Sequence, residues 1–430
     1  MRQTKPPLKT LLTLCLFLLP ATLFAWELPY PAEIHGFVDL RAGSRLQSDK
    51  YQRDTSLLEA RLQLEYSHQF DAATLQLRGD LLADEVTSGE SLDLQTGDGI
   101  FDLREANLVF SPTESSDLKI GRQILTWGTG DLLFINDLFP KDWQAFFIGR
   151  DEAYLKAPSD ALLLSLFPAW ATIDLALTPL FDSDRYISGE RLSYWNPQLG
   201  RVAGRDAVSD AERPDNWLQD YELALRLTRN IAGYELAAYG YRGYWKSPAG
   251  FNQTSGRASF PRLNTYGASL RGSLQGGIGN AEFGYYDSRD DRSGTDPLRP
   301  NSELRYLLGY ERELARELTA GGQFYLEQLL DYGSYRQSLP AGQQPRDEYR
   351  QMLTLRLTKL LLQQTLTLSL FGYWSPSDQD FYLRPTVKYK LTDALLLTAG
   401  GNLFGGQRRD TFFGQFADNS NIYAGIRYSF

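Results

Sequence analysis

The sequence predicts an all-β chain, a transmembrane antiparallel β-barrel of about eighteen strands with one long loop folded into its lumen. Three observations predict it. Apolar and polar side chains alternate with period two in one short segment after another, so each segment has one apolar and one polar face. Tight turns and long polar connections alternate between the segments, the asymmetry expected of a membrane barrel. Beyond residue 25, no stretch of eighteen residues stays apolar without a polar or proline interruption, which argues against helical membrane spans.

The first strand is expected at 34–46, where Ile34, Val38 and Leu40 alternate with His35, Asp39 and Arg41. The second, 58–70, sets Leu58, Ala60, Leu62, Leu64 and Tyr66 against Glu59, Arg61, Gln63, Glu65 and Ser67. Asp71-Ala72 turns the chain into 74–84, and the polar stretch 85–99 is the matching long connection. The pair 101–111 and 118–127 follows. A long connection then leads to the hairpin 161–167 and 170–178, turning at Pro168-Ala169. After a second long connection, 180–217, strands pair as 220–229 with 234–245, 263–274 with 281–289, and 304–313 with 318–330. The pairs 349–360 with 366–374 and 381–391 with 395–403 complete the series, and 420–430 closes it. Trp127, Trp245 and Trp374 are expected at outward strand ends, Trp217 beside that rim and Trp170 at the opposite one, where amphipathic rings meet a membrane interface.

The N-terminus reads as a signal peptide over 1–25: Arg2, Lys5 and Lys9, the apolar run 11–19, Pro20 and a small residue at Ala25. The barrel is expected to occupy 26–430 as a single domain. Cleavage removes the lone Cys15, so disulfides have no part, and takes the formal charge from −9 to −12 by losing three cations. That acidity excludes nucleic acid as a partner. With 25 Tyr and 23 Phe, the composition suits strands.

The chemistry of catalysis is thin. His35 and His68 are the two histidines, so an enzyme, a zinc site and any other cofactor are not expected. Gly128-Thr129-Gly130-Asp131 lacks the Lys-Ser/Thr of a phosphate loop and reads as a turn. Asp287, Asp290, Asp291 and Asp296 crowd one loop, but Arg289 and Arg292 sit among them, so a solvated loop is favoured over a calcium site.

The closing stretch carries a resemblance. Ile422, Ala424, Ile426, Tyr428 and Phe430 share one parity, and the chain ends on the aromatic. A terminal Phe with Tyr two residues earlier resembles the C-terminal signal of Gram-negative outer-membrane β-barrels. The resemblance implies that Tyr428 and Phe430 address the chain to the barrel-assembly machinery, and that outer-membrane lipid and lipopolysaccharide surround it.

Parity sends a set of charges to the lumen: Arg61, Arg78, Asp80, Arg226, Arg271, Glu282, Arg305, Glu327, Arg356, Arg384, Lys388 and Arg427. On the lipid face each would cost about 2–4 kcal/mol near the midplane. They read either as a bracing ladder of paired charges or as the lining of a pore. About eighteen strands leave a channel unless something fills it.

The candidate filler is 128–159. Its apolar side chains, Leu132 to Ile148, are mixed with Asp131, Asn136, Asp137, Lys141, Asp142, Trp143 and Arg150, and a loop this apolar should not stand in water. It is expected to fold inward as a constriction. Gly121-Arg122-Gln123, then Trp127-Gly128 and Asn136-Asp137-Leu138-Phe139-Pro140, are similar to a feature of alginate-export-like and porin-type barrels. In those, a strand ending in Gly-Arg-Gln precedes an inserted loop. The mixed charges of this lumen do not extend the likeness to alginate.

The functional expectation is a porin-like outer-membrane channel for a polar solute or exported product. The alternative is a plugged, non-conducting barrel that binds a ligand or a partner, such as a periplasmic export component.

Overall fold

The computed structural model describes residues 33–87 and 92–430; the expected signal peptide lies outside them. Eighteen strands among the described residues form one closed antiparallel sheet. They begin with β1 (Glu33–Arg45), β2 (Thr55–Gln69), β3 (Thr74–Asp84), β4 (Phe101–Thr113), β5 (Ser116–Gln123) and β6 (Ser159–Leu166). The wall continues through β7 (Thr172–Thr178), β8 (Glu222–Ile231), β9 (Tyr234–Tyr244), β10 (Arg262–Leu274), β11 (Gly277–Ser288) and β12 (Glu303–Ala315). It ends with β13 (Leu318–Leu329), β14 (Tyr349–Leu361), β15 (Leu366–Ser375), β16 (Asp380–Lys390), β17 (Leu395–Gly406) and β18 (Asn421–Ser429). Each strand pairs with its neighbours in sequence, and β18 pairs with β1, which leaves no free edge.

Closure is specified at the seam. Asp39 lies opposite Arg427 and Gly43 opposite Tyr423. Gly36 and Phe430 exchange both backbone hydrogen bonds at 3.0 Å. The short turns lie at this end. Two of them, Ala232-Gly233 and Gln275-Gly276, put both residues at positive φ, the geometry that matches a two-residue turn to the twist of its strands.

The outer face is apolar: Leu64, Leu108, Leu225, Leu308, Leu355, Val387 and Ile426 all stand exposed on it. A belt of this kind around a closed barrel is the surface that hydrocarbon solvates. Two of the rim tryptophans are corrected. β5 stops at Gln123, and Trp127 turns into the lumen, where its ring meets Phe139 at 4.9 Å and Tyr239 at 6.4 Å. Trp245 follows β9 on the lumen parity and lies against Tyr286 at 5.7 Å. Trp170, Trp217 and Trp374 are exposed.

The polar inner face is also zoned. Toward the long connections it carries buried aromatics, Tyr241, Tyr286, Tyr325, Phe371, Tyr373, Tyr382, Phe404 and Tyr423. They sit on the same parity as the charges, so alternation alone does not separate the two zones.

Candidate functional site

The site is the segment 124–158, which leaves β5, crosses the lumen and returns into β6. Its first anchor is a carboxylate held by backbone. Gly128 adopts φ +83°, and the following Thr129 and Gly130 N–H groups donate to Glu282 of β11, Gly130 at 2.7 Å. The glycine-rich turn is therefore a hook that holds a wall carboxylate. Asp131 N–H then donates to Gln323 of β13 at 2.8 Å. The Asp131 carboxylate takes Arg356 of β14 at 2.5 and 2.8 Å.

The segment then lays its apolar side against the aromatic zone. Ile135, Phe139, Phe146, Phe147 and Ile148 are buried among the wall aromatics. The helix α1 (Trp143–Ile148) starts on Asp142, whose carboxylate accepts from Ala145 N–H, and stops at Gly149 with φ +93°. A Cβ there would run into the Tyr423 ring, so glycine serves both the turn and the packing. Phe147 meets Tyr382 edge-on at 5.4 Å and Phe404 at 5.2 Å, while Tyr382 and Phe404 stack at 4.5 Å. Aromatic pairs contribute about 0.5–1.5 kcal/mol each beyond burial, so this is the main hydrophobic hold on the segment. Gly267 of β10 makes room for Asn136, whose Nδ2 donates to Glu282 at 3.0 Å.

A second, ionic anchor follows α1. Gly149 carbonyl accepts from Arg41 at 2.6 Å, and Arg150 binds Glu59 of β2 at 2.5 Å. Asp151 faces Lys388 at 3.4 Å and Arg427 at 3.7 Å; Glu152 faces Arg384 at 3.1 Å and Arg356 at 3.4 Å. Tyr154 hydroxyl donates to Asp80 at 2.7 Å, and Arg61 lies over its ring at 4.0 Å. Charges on the segment thus meet opposite charges on the wall, and buried charges are paired.

The long connection between β7 and β8, 179–221, caps this layer. Arg185 forks onto Asp102 of β4 at 2.8 and 2.9 Å and reaches Asp142 at 3.5 Å. Asp184 accepts from Lys141 N–H at 2.8 Å and from the Trp143 indole at 3.0 Å. Arg191, fully buried, pairs with Asp84. At the root of the cap, burial and then Glu222 push the Asp182 carboxyl up to about 7, against the pull of Lys246.

The strand registers put every charge expected on the inner wall at lumen parity. Arg78 pairs with Glu105 and Glu65, and Arg226 with Asp174 at 2.7 Å. Arg305 joins Glu303 at 2.7 Å, and Glu327 joins Arg346 at 2.6 Å. Arg271 and Glu311 line a cavity of about 80 Å³ under the hook, with Thr129, Asp131, Asn280 and Gln323. Of the loop residues, Lys141 and Asp137 pair at 3.0 Å within the segment. Arg122 lies outside the lumen: β5 carries it on the outer face, bonded to Asp160 at 2.7 Å and to Leu94 carbonyl at 2.6 Å, with an unshifted register against β6.

Several contacts were not foreseen. Arg41 and Asp39 share the lumen parity, but nothing in the sequence sets them apart from the other inward charges; Arg185 and Arg191 sit in a connection with no periodicity to mark them. In the acidic loop, Asp287 binds Arg292 and Asp290 binds Arg262, each at 2.7 Å. No group of metal-ligating residues forms among the described residues.

No family model and no curated relative matches the chain. Solved structures do. OccK11 (OpdR) of Pseudomonas aeruginosa superposes with a TM-score of 0.50 at 10% identity, covering 93% of this chain and 95% of that one. OmpF of Salmonella typhi, in complex with daunomycin, gives a TM-score of 0.44 at 10% identity over 93% and 97% of the two chains. A triple mutant of the Rhodopseudomonas blastica porin gives 0.41 at 10% identity over 93% and 100%. The likeness to OccK11 is one of fold.

Proposed function

We propose that the chain is an outer-membrane channel for polar solutes, held closed here by the segment 124–158. One observation carries the reading. Below the segment, the inner wall is a charged vestibule, and the segment meets it through ion pairs that water can reach, Asp131 and Glu152 with Arg356. Exposed pairs of this kind are weak, about 0–1 kcal/mol each, so they can exchange for a passing solute or for a displaced segment. In this reading flux follows the solute gradient. The apolar belt and the fold likeness to OccK11 support placement in the outer membrane.

The aromatic packing around Phe147 favours a second reading, a permanent plug that does not conduct. Planar-bilayer recording separates them, comparing the wild type with a chain whose residues 131–157 are replaced by a short Gly-Ser linker. The channel reading expects brief openings from the wild type and a steady conductance from the shortened chain. A silent wild type with a conducting shortened chain favours the permanent plug. Silence from both would sink the channel and the plug together.

A further inference from the structure

The outer surface carries one feature that the lumen does not use. On β9–β11 the outward positions change character with height. Leu236, Leu270 and Ala281 form an apolar row, then Ala238, Ala268 and Phe283, then Gly240 with the stacked pair Tyr266 and Tyr285, 6.4 Å apart. Above the tyrosines stand Arg242, Asn264 and Asp287 in one row, and Tyr244 with Arg262 in the next. Arg289 follows β11 directly, its N–H bonded to the Arg262 carbonyl at 3.1 Å. Apolar, then aromatic, then basic is the order met on leaving hydrocarbon for a phosphate layer. On the later strands the corresponding outward positions nearest the long connections hold Leu304, Gln328, Tyr349, Trp374 and Phe381, so the basic cluster is local.

The carboxylates at this edge match the arginines in number, but their contacts leave the Arg242 and Arg289 guanidiniums unclaimed. Arg262 is met by Asp290 and Arg292 by Asp287, and Asp220 reaches the edge through the Tyr244 hydroxyl at 2.6 Å. Arg242 is exposed on the outer face, and Arg289 is half-buried beside it. Partial burial, then Arg242 and Arg262, lower the Arg289 guanidinium from its ordinary value, as crowded like charges do. Asp291 accepts from Thr295 and Asp296 N–H groups of its own loop, so the nearby acids are occupied as well.

We propose that Arg242, Arg262 and Arg289 form a site on the barrel's outer surface for the phosphate of an anionic glycolipid of the outer leaflet. Planar guanidiniums suit phosphate oxygens, and Tyr266 and Tyr285 offer a ring surface for the first part of the lipid below it. The site rests on the outer-membrane reading above.

The test uses the full chain, first reconstituted into phosphatidylcholine vesicles and scored by flotation, then analysed by native mass spectrometry in detergent with bisphosphorylated or dephosphorylated lipid A. The wild type is expected to retain the bisphosphorylated form selectively. Arg242→Ala/Arg289→Ala should retain it about tenfold less, and Arg312→Ala, on the opposite rim, should match the wild type. Equal retention of both lipids by the wild type overturns the site, whether or not the double variant folds, and so does unchanged retention by a folded double variant. Failure to insert into vesicles overturns the membrane reading and the site with it; insertion without discrimination overturns the site alone.

Discussion

Arg356 of β14 holds Asp131 of the crossing segment at two points, 2.5 and 2.8 Å, and the pair is open to water on its vestibule side. It joins the wall to the segment near the end of the backbone hook on Glu282. The neighbouring link from Glu152 to Arg356 has the same character, whereas Arg384, which Glu152 also meets, is buried. The segment is therefore fastened by two unlike means: deep aromatic packing on one side and water-facing ion pairs on the other.

Removing one ion pair should loosen the closed state without harming the barrel. Asp131→Asn is expected to leave heat-modifiable gel mobility unchanged, because an exposed pair contributes only about 0.2–1 kcal/mol. Directed entirely to gating, that range raises the open fraction by about 1.4- to fivefold in single-channel records. An unchanged open fraction would detach the pair from gating.

The aromatic side should respond far more strongly. Phe147→Ala removes a ring packed on Tyr382 and Phe404, and truncations of this kind cost about 3–5 kcal/mol. The cost falls on docking of the segment, so trypsin should cut after Arg150 in the variant and spare the wild type. Resistance equal to the wild type would show that the ring does not hold the segment.

Gly267→Ala attacks the same docking by volume. An added Cβ would collide with the Asn136 amide oxygen and stand 2.7 Å from the Phe283 carbonyl. Because β10 backbone cannot yield, Asn136 must leave, and its bond to Glu282 goes with it. Trypsin sensitivity after Arg150 should rise as in Phe147→Ala; an unaltered digest would mean the site relaxes around the methyl.

The cap should weaken as pH rises. Asp182 titrates near 7 in the fold, above the ordinary carboxylate value near 4, because of burial and Glu222. Its folded form holds the extra proton between about pH 4 and 7, so stability is greatest below 4 and is lost as pH climbs through 7. Proteolysis within 183–216 should increase over that window, and Asp182→Asn should flatten the increase. A profile identical in the variant would assign the dependence elsewhere.

The wall was legible because an apolar outer face and a charged inner face impose a strict period of two. Leu64, Leu108 and Ile426 could only face one way, and Arg61, Arg356 and Arg427 the other. What filled the lumen was half legible. The apolar run around Phe146 and Phe147 announced that it must be buried, but its receiving surface did not, because Tyr373 and Tyr382 share parity with Arg384 and pass for polar lining. Trp127 misled for a different reason: Ile124, Leu125 and Thr126 prolong the strand-prone composition past Gln123, although the chain has already left the sheet. Arg185 and Arg191 act through contacts distant in sequence, at Asp102 and Asp84, which no local pattern encodes.

The most direct test of closure by 124–158 is a reversible lock. Asn136→Cys removes the amide oxygen that a Cβ at 267 would strike and leaves its sulfur near the Asn136 Cγ position, 2.8 Å from that Cβ, so Asn136→Cys/Gly267→Cys can close a disulfide where Gly267→Ala alone would clash. With Cys15 in the expected signal peptide, no other cysteine competes. Planar-bilayer current is recorded from one oxidised channel before and after dithiothreitol, so each molecule is its own control. The closed-segment account predicts silence before reduction and openings after it. Equal current in both states would contradict it.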